Sequence, residues 1–482
     1  MSGLLERLAR ARGEAVVDEH GAHDFDAVRA RAASVAAHLG DRRGRRVALL
    51  ASPGAEFVGA FFGIVSSGAC ALVLSPLHAA TESAFFCSDA DADLVLVTTD
   101  QRERARAAVG DRLDVVDLAS IDAKPARDLA IDAEDPALML YTSGTTGKPK
   151  GAVLSHRSLS IQQELLAEAW GLSSSDVLLH LLPLHHMHGL CIALLSCLGA
   201  GATIRMLPAF DASRAWREME RSTVFMAVPT IYKKLFDALD ATSTPTERDR
   251  WMQNATKLRL ATSGSAALPV TLASRWRAIT GAIPLERFGM TEIGVGLSNP
   301  LRGERRAGTV GLPLRTVETR VDEASGELLV RGPSLFSGYF RRDDATARAY
   351  RDGWFLTGDT VARDERGYFR VLGRTSVDIL KSGGYKLSAL EIEEALREHA
   401  AVSDVAVVGV PDETWGDRVV ACVVVRPGAS LEPADLRAFA KEKLASYKCP
   451  KDVVVLAELP RNAMGKVQKP ELVARLARGG AS

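Results

Sequence analysis

Seven short apolar runs recur through the first 300 residues: RRVALLAS, DLVLVTT, PALMLYTS, DVLLHLLPL, GATIRMLP, VFMAVP and LRLATSGS, with amphipathic segments between them. A run without polar alternation needs both faces covered, so this rhythm predicts layered α/β structure with largely parallel strands. From about residue 308 the texture changes. GTVGLPLRTVETRVDEASGELLVRGPSLFSGYF has shorter strands, Gly and Pro punctuation and a hairpin-like EASGE, which predicts a small β-barrel-like subdomain over about 308–373. A new pattern then begins: helix ALEIEEALREHA, strands DVAVVGV and RVVACVVVR, helix EPADLRAFAKEKL and strand DVVVLAEL. The expected organisation is a large N-terminal α/β domain, 1–373, followed by a small α+β domain, 374–482.

A chain of 482 residues exceeds what one hydrophobic core usually serves. Its 60 basic and 60 acidic residues create no global field for nucleic acid or a membrane surface, so any anionic partner has to be bound locally. Six scattered cysteines without a C-x-x-C pair predict reduced thiols in a cytoplasmic protein. The N-terminal MSGLLERLARARGEAV lacks an uninterrupted apolar core and reads as an amphipathic helix, not a signal peptide. The uncharged run FVGAFFGIVSSGACALVLSPL, 57–77, is long enough to span a bilayer. SSGA interrupts it, however, and helix, turn, buried strand is the expected reading.

YTSGTTGKPKG, residues 141–151, follows the strand-like ALML and concentrates hydroxyls, glycines and lysines. Glycines let the backbone approach a ligand, while exposed N–H groups, hydroxyls and ammonium groups favour phosphate oxygens. The spacing excludes a Walker loop: Gly144 and Gly147 are too close and Pro149 follows Lys148.

The segment resembles the phosphate loop of the adenylate-forming superfamily, which includes acyl-CoA synthetases, luciferases and peptide-synthetase adenylation domains. FGMTE (288–292), WFLTGD (354–359), GRTSVDILKSGGYK (373–386) and PRNAMGKVQK (460–469) resemble its further motifs in the right order. The resemblance implies ATP, Mg²⁺ and coenzyme A, the last as co-substrate. It places Thr142, Ser143, Gly144, Thr145, Thr146, Gly147, Lys148 and Lys150 around the phosphates. Phe288 would stack on adenine beside Gly264 and Ser265, with Gly289, Met290 and Thr291 completing that nucleotide-binding turn. Glu292 would coordinate the metal, with Thr145 or Thr291 near the phosphates; Asp359 would accept both ribose hydroxyls, and Arg374 would reach ribose or phosphate. Lys466 would bridge the incoming carboxylate and the α-phosphate. Because Lys466 lies on the small domain, that domain has to be mobile, with Ser382, Gly383, Gly384 and Tyr385 lining the pantetheine channel after rotation. Most members place the pivot three residues after the arginine; here Val377 stands there, and Asp378, one residue later, is taken as the hinge.

One cation asks for an explanation. Arg287 stands in IPLERFGMTEIG, an otherwise apolar approach, and a guanidinium stays charged, so burying it without an anion is costly. Strand geometry sends Arg287 and Phe288 to opposite sides. In the family the residue before the adenine-stacking aromatic lines the acyl pocket, so Arg287 is expected to meet a second carboxylate, with Ser263 and His186 also at the substrate. ERFGMTE together with GRTSVDILKSGGYKLSALEIE resembles the malonyl-CoA synthetases. That implies malonate, ATP and CoA giving malonyl-CoA, AMP and pyrophosphate, with methylmalonate as a second substrate. The competing expectation for Arg287 is an internal ion pair, for instance with Glu286. LLPLHHMHGL also carries His185 and His188; no second ligand group accompanies these histidines to make a zinc site. Alternatives are a ligase for another short carboxylic acid, a module loading a carrier protein, a nucleotide hydrolase or kinase, and a non-catalytic binding protein.

Overall fold

The computed structural model describes residues 3–125, 129–142, 149–461 and 466–478. Each of the seven apolar runs forms a strand. One sheet orders its strands as Gly338–Tyr339, Lys150–Ser155, Pro136–Thr142, Cys70–Val73, Arg46–Leu50, Leu94–Val97 and Asp114–Asp117, parallel from Pro136–Thr142 onward. A second, of nine strands, runs from Leu312–Pro313 through Gly294–Ser298, Leu285–Met290, Leu260–Ser263, Val224–Ala227, Val177–His180 and Thr203–Met206 to the hairpin Glu14–Asp18/Gly21–Asp24. The run at 57–77 forms the helix Ala55–Ser66 and the strand Cys70–Val73. Every residue of that helix from Phe57 to Val65 is buried, because both sheets and a further helix, Phe25–Leu39, pack around it in one continuous core. Its length is explained by burial between layers, and no helix among the described residues is long and apolar enough to cross a membrane.

The strands Glu318–Val321, Glu327–Arg331, Tyr350–Arg351, Trp354–Arg363 and Phe369–Arg374 form a separate antiparallel sheet. The last sheet contains Tyr385–Ser388, Ile379–Ser382, Gly416–Val425, Val402–Asp412 and Asp452–Val455. Along Val402–Asp412, Val405 and Val407 enter one core with the helices Ala389–Arg397 and Pro433–Lys443. Ala406, Val408 and Val410 enter another with Leu472 of the helix Lys469–Arg478. Helices on both faces explain why this strand has no polar alternation.

Candidate active site

Three segments leave the carboxyl ends of parallel strands in the nine-stranded sheet, where ligands of open α/β sheets gather. They are the histidine run after Val177–His180, Ser263-Gly264-Ser265 after Leu260–Ser263, and the end of Leu285–Met290. Arg287 lies where they meet. It is 4% exposed, and among the described residues nothing bonds to its Nε or Nη2 and no carboxylate pairs with it. Burial alone depresses its pKa, to about 9. Its neighbour Glu286 points elsewhere, accepting from the Gly308 N–H at 2.8 Å and the Leu268 N–H at 3.4 Å. Burial raises the Glu286 carboxyl to about 8. The internal pair with Glu286 is therefore absent.

Gly264 acts as a shelf for the guanidinium: a Cβ there would lie 2.4 Å from Arg287 Cζ and Nε. Ser265 takes a left-handed φ of 69°, unusual for a residue with a Cβ, and its Oγ lies 3.2 Å from His188 Nδ1. His188 Nε2 and Ser263 Oγ are buried and have no hydrogen-bond partner among the described residues. His188 is held neutral, first by burial and then by repulsion from Arg287. His186 is depressed to about 4 by burial, with His78 and Lys466 adding to it, and its ring lies 3.9 Å from that of His185. These histidines are neutral hydrogen-bonding groups near neutral pH, and no group of three or more potential metal ligands occurs among the described residues.

On the other side, Thr142 ends the strand Pro136–Thr142 and faces Lys150 across an antiparallel pair. The strands on either side of the phosphate-loop candidate thus pair antiparallel, whereas a Walker loop joins a strand to a helix. The assignments to Ser143, Gly144, Thr145, Thr146, Gly147 and Lys148 lie outside the described residues. The Lys150 ammonium sits 4.5 Å over the Tyr339 ring, and the Tyr339 hydroxyl donates to Glu292 Oε1 at 2.8 Å. Glu292 is buried within the turn of a tight hairpin in which a Cβ on Gly289 would lie 2.1 Å from the Gly294 carbonyl oxygen. Phe288, Met290 and Thr291 remain partly exposed along that edge. Asp359 and Arg374 are cross-strand partners, with Arg374 Nε 3.3 Å from the carboxylate. Burial raises Asp359 to about 6 against the pull of Arg374 and Lys466. Lys466, though exposed as a residue, has its ammonium crowded by protein; that crowding and Arg374 lower its pKa, opposed by Asp359, with Arg287 and Asp378 also in range. One cleft therefore gathers Lys466 and Arg374 with Asp359, and Arg287 stands within charge range.

Residues 6–340 match the family described as AMP-binding enzyme, and residues 391–466 match the AMP-binding enzyme C-terminal domain. The chain belongs to the AMP-binding enzyme family. A mitochondrial malonate–CoA ligase of Mus musculus is 41% identical, over 96% of this chain and 88% of the relative. ATP-bound MatB from Rhodopseudomonas palustris superposes with a TM-score of 0.90 at 34% identity, covering 99% of both chains. A malonyl-CoA ligase ternary product complex with methylmalonyl-CoA and AMP gives 0.69 at 38% identity, covering 93% of this chain and 96% of that one.

In this AMP-binding enzyme the Ser382–Tyr385 turn lies at the end of a hairpin in the same sheet as Gly416–Val425 and Val402–Asp412. Gly383 and Gly384 take φ of 57° and 83°, which the two-residue hairpin between Ile379–Ser382 and Tyr385–Ser388 requires. Ser382 is buried, and Tyr385 is exposed and stacked on Tyr447 at 4.4 Å. None of the polar contacts described for this turn reaches the cleft holding Lys466. Asp378 folds back onto the chain, accepting from the Arg374 N–H at 2.9 Å. Sequence reasoning missed Tyr339, the shelf made by Gly264, and His188 as a pocket group. A cue for His188 was present: His186 and His188 flank one residue in a run that leaves a strand's carboxyl end.

Proposed function

We propose that this enzyme is a malonate–CoA ligase, working through malonyl-adenylate, with methylmalonate as a second substrate. The observation that carries the reading is Arg287, a buried guanidinium whose Nε and Nη2 find no acceptor among the described residues, within charge range of His188, whose Nε2 is likewise without a partner there. A distal carboxylate answers both. Ser265 donating to His188 Nδ1 leaves Nε2–H as a second donor toward it.

Asp359 accepts the ribose hydroxyls of ATP, Arg374 reaches ribose or phosphate, and Phe288 stacks on adenine. Lys150 and the loop before it hold the phosphates. Glu292, fixed by Tyr339, suits Mg²⁺, which commonly takes one or two carboxylates plus substrate phosphates; when bound, the ion would offset charge on the phosphate oxygens. Lys466 draws the proximal carboxylate toward the α-phosphorus and stabilises charge growing there. A carboxylate oxygen forms the new P–O bond and the bond to pyrophosphate breaks. The CoA thiol then attacks the acyl carbon, losing its proton, and the bond to AMP breaks. The higher likeness to the ATP-bound structure than to the product complex, despite lower identity, supports a first-step arrangement here. Rotation about the hinge near Asp378 would then bring Ser382–Tyr385 inward. All six cysteines are buried free thiols, which supports the cytoplasmic placement.

The test is a panel of malonate, methylmalonate, succinate, acetate and butyrate, each with and without CoA, read for pyrophosphate, AMP and thioester. Malonate should lead with AMP and malonyl-CoA as products. ADP formation, or acetate matching malonate, would refute the proposal.

A further inference from the structure

Three residues past Lys466, the chain enters its last described helix at Lys469. This lysine is 8% exposed, and its ammonium lies 2.5 Å from Asp378 Oδ1 and 2.7 Å from Glu393 Oε1. Both carboxylates carry further bonds. Asp378 Oδ2 accepts from the Arg374 N–H at 2.9 Å. Glu393 Oε1 accepts from the Val407 N–H at 2.9 Å, and its Oε2 lies 3.2 Å from Arg397. Gly373, with φ of 131°, makes room for this arrangement, since a Cβ there would lie 2.2 Å from Asp378 Cβ.

The ammonium thus joins three pieces of chain: the hinge stretch, the helix Ala389–Arg397, and the exit of the lysine loop. The base of that loop is closed by the bridge between Arg461 and Val467 and by the Gln468 N–H donating to the Pro460 carbonyl at 2.8 Å. From the same hinge stretch, the Arg374 side chain donates to the Thr357 carbonyl at 2.6 Å and faces Asp359. Asp378 therefore connects the Arg374 backbone with Lys469, while the Arg374 side chain and Lys466 converge on Asp359. A buried ammonium between two carboxylates is a stiff joint, because removing it leaves two like charges facing each other out of water.

We propose that Lys469 is a positioning residue for Lys466, fixing the lysine loop to the hinge so that the ammonium of Lys466 is presented to the first half-reaction. Thioester formation, after the domain has turned and carried Lys466 away, has no such need. The proposal rests on the reading of Lys466 as the adenylation lysine.

The test separates the half-reactions. In K469M, acid-dependent ATP–pyrophosphate exchange should fall at least 100-fold, while CoA transfer from freshly prepared malonyl-adenylate falls less than fivefold; K469R should restore exchange to within tenfold of wild type. Equal loss in both steps, or undiminished exchange, overturns the proposal. Where K469M alone does not fold, K469M/E393Q, which also removes one of the two facing charges, is scored by the same ratio. Wild-type protein without malonate-dependent exchange would count against the ligase reading itself, whereas an active wild type with a flat ratio in the variants rejects only the role of Lys469.

Discussion

Replacing Arg287 with methionine keeps a long side chain on the Gly264 shelf and removes the charge. The drop to about 9 in the Arg287 pKa from an ordinary value of about 12.5 corresponds to roughly 5 kcal/mol of charge burial, at about 1.4 kcal/mol per tenfold change in proton affinity. No protein acid offsets that cost among the described residues, and in the proposed function a substrate carboxylate recovers it. Truncating one partner of a buried charge pair costs about 2 to 5 kcal/mol. In steady-state pyrophosphate release, kcat/KM for malonate should therefore fall about 30-fold to several thousand-fold. Butyrate should be used better than by wild type, since its methyl end would no longer face an unpaired guanidinium. Removing a buried, unpaired charge should also raise the apo-protein Tm. Parallel loss for malonate and butyrate, or a lowered Tm, would show that Arg287 supports the fold and would refute the reasoning.

Three further outcomes follow from the same geometry. H188L should raise KM for malonate about 10-fold while leaving KM for ATP within twofold, because the loss is one neutral donor worth about 1 to 2 kcal/mol. Burial raises Asp359 to about 6, so KM for ATP should climb as pH falls below 6, where the protonated acid loses acceptor capacity; D359N should show a uniformly high KM without that inflection. For Glu286, the folded chain keeps a proton up to about pH 8 that the unfolded chain releases near pH 4.3. Its contribution to stability therefore declines as pH rises through that window. E286Q should flatten this slope in thermal melts at pH 5 to 8.5, and an unchanged slope would contradict the assignment.

The strands were legible because continuous apolar runs have few other fates in a chain of this size, and Arg287 was legible because a lone cation in such a run demands an explanation. What could not be read was the pairing around them. Glu286, adjacent in sequence, is a ready partner on paper, yet the strand turns it to the Gly308 and Leu268 N–H groups. His188 meets Ser265 from 77 positions away. Lys469 looks like an ordinary solvated lysine beside Lys466 until Asp378 and the helix Ala389–Arg397 fold over it. The antiparallel pairing of the strands that flank the phosphate loop was also hidden, since KGAVLS shows strand character without its direction.

What Arg287 meets when substrate is present decides the choice of acid. A crystal structure with malonate and a non-reactive ATP analogue tests this directly: a distal carboxylate oxygen should lie about 3 Å from Arg287 Nε or Nη2, with the proximal carboxylate near Lys466. A distal carboxylate turned to solvent, or Arg287 swung onto an acid of its own chain, would contradict it.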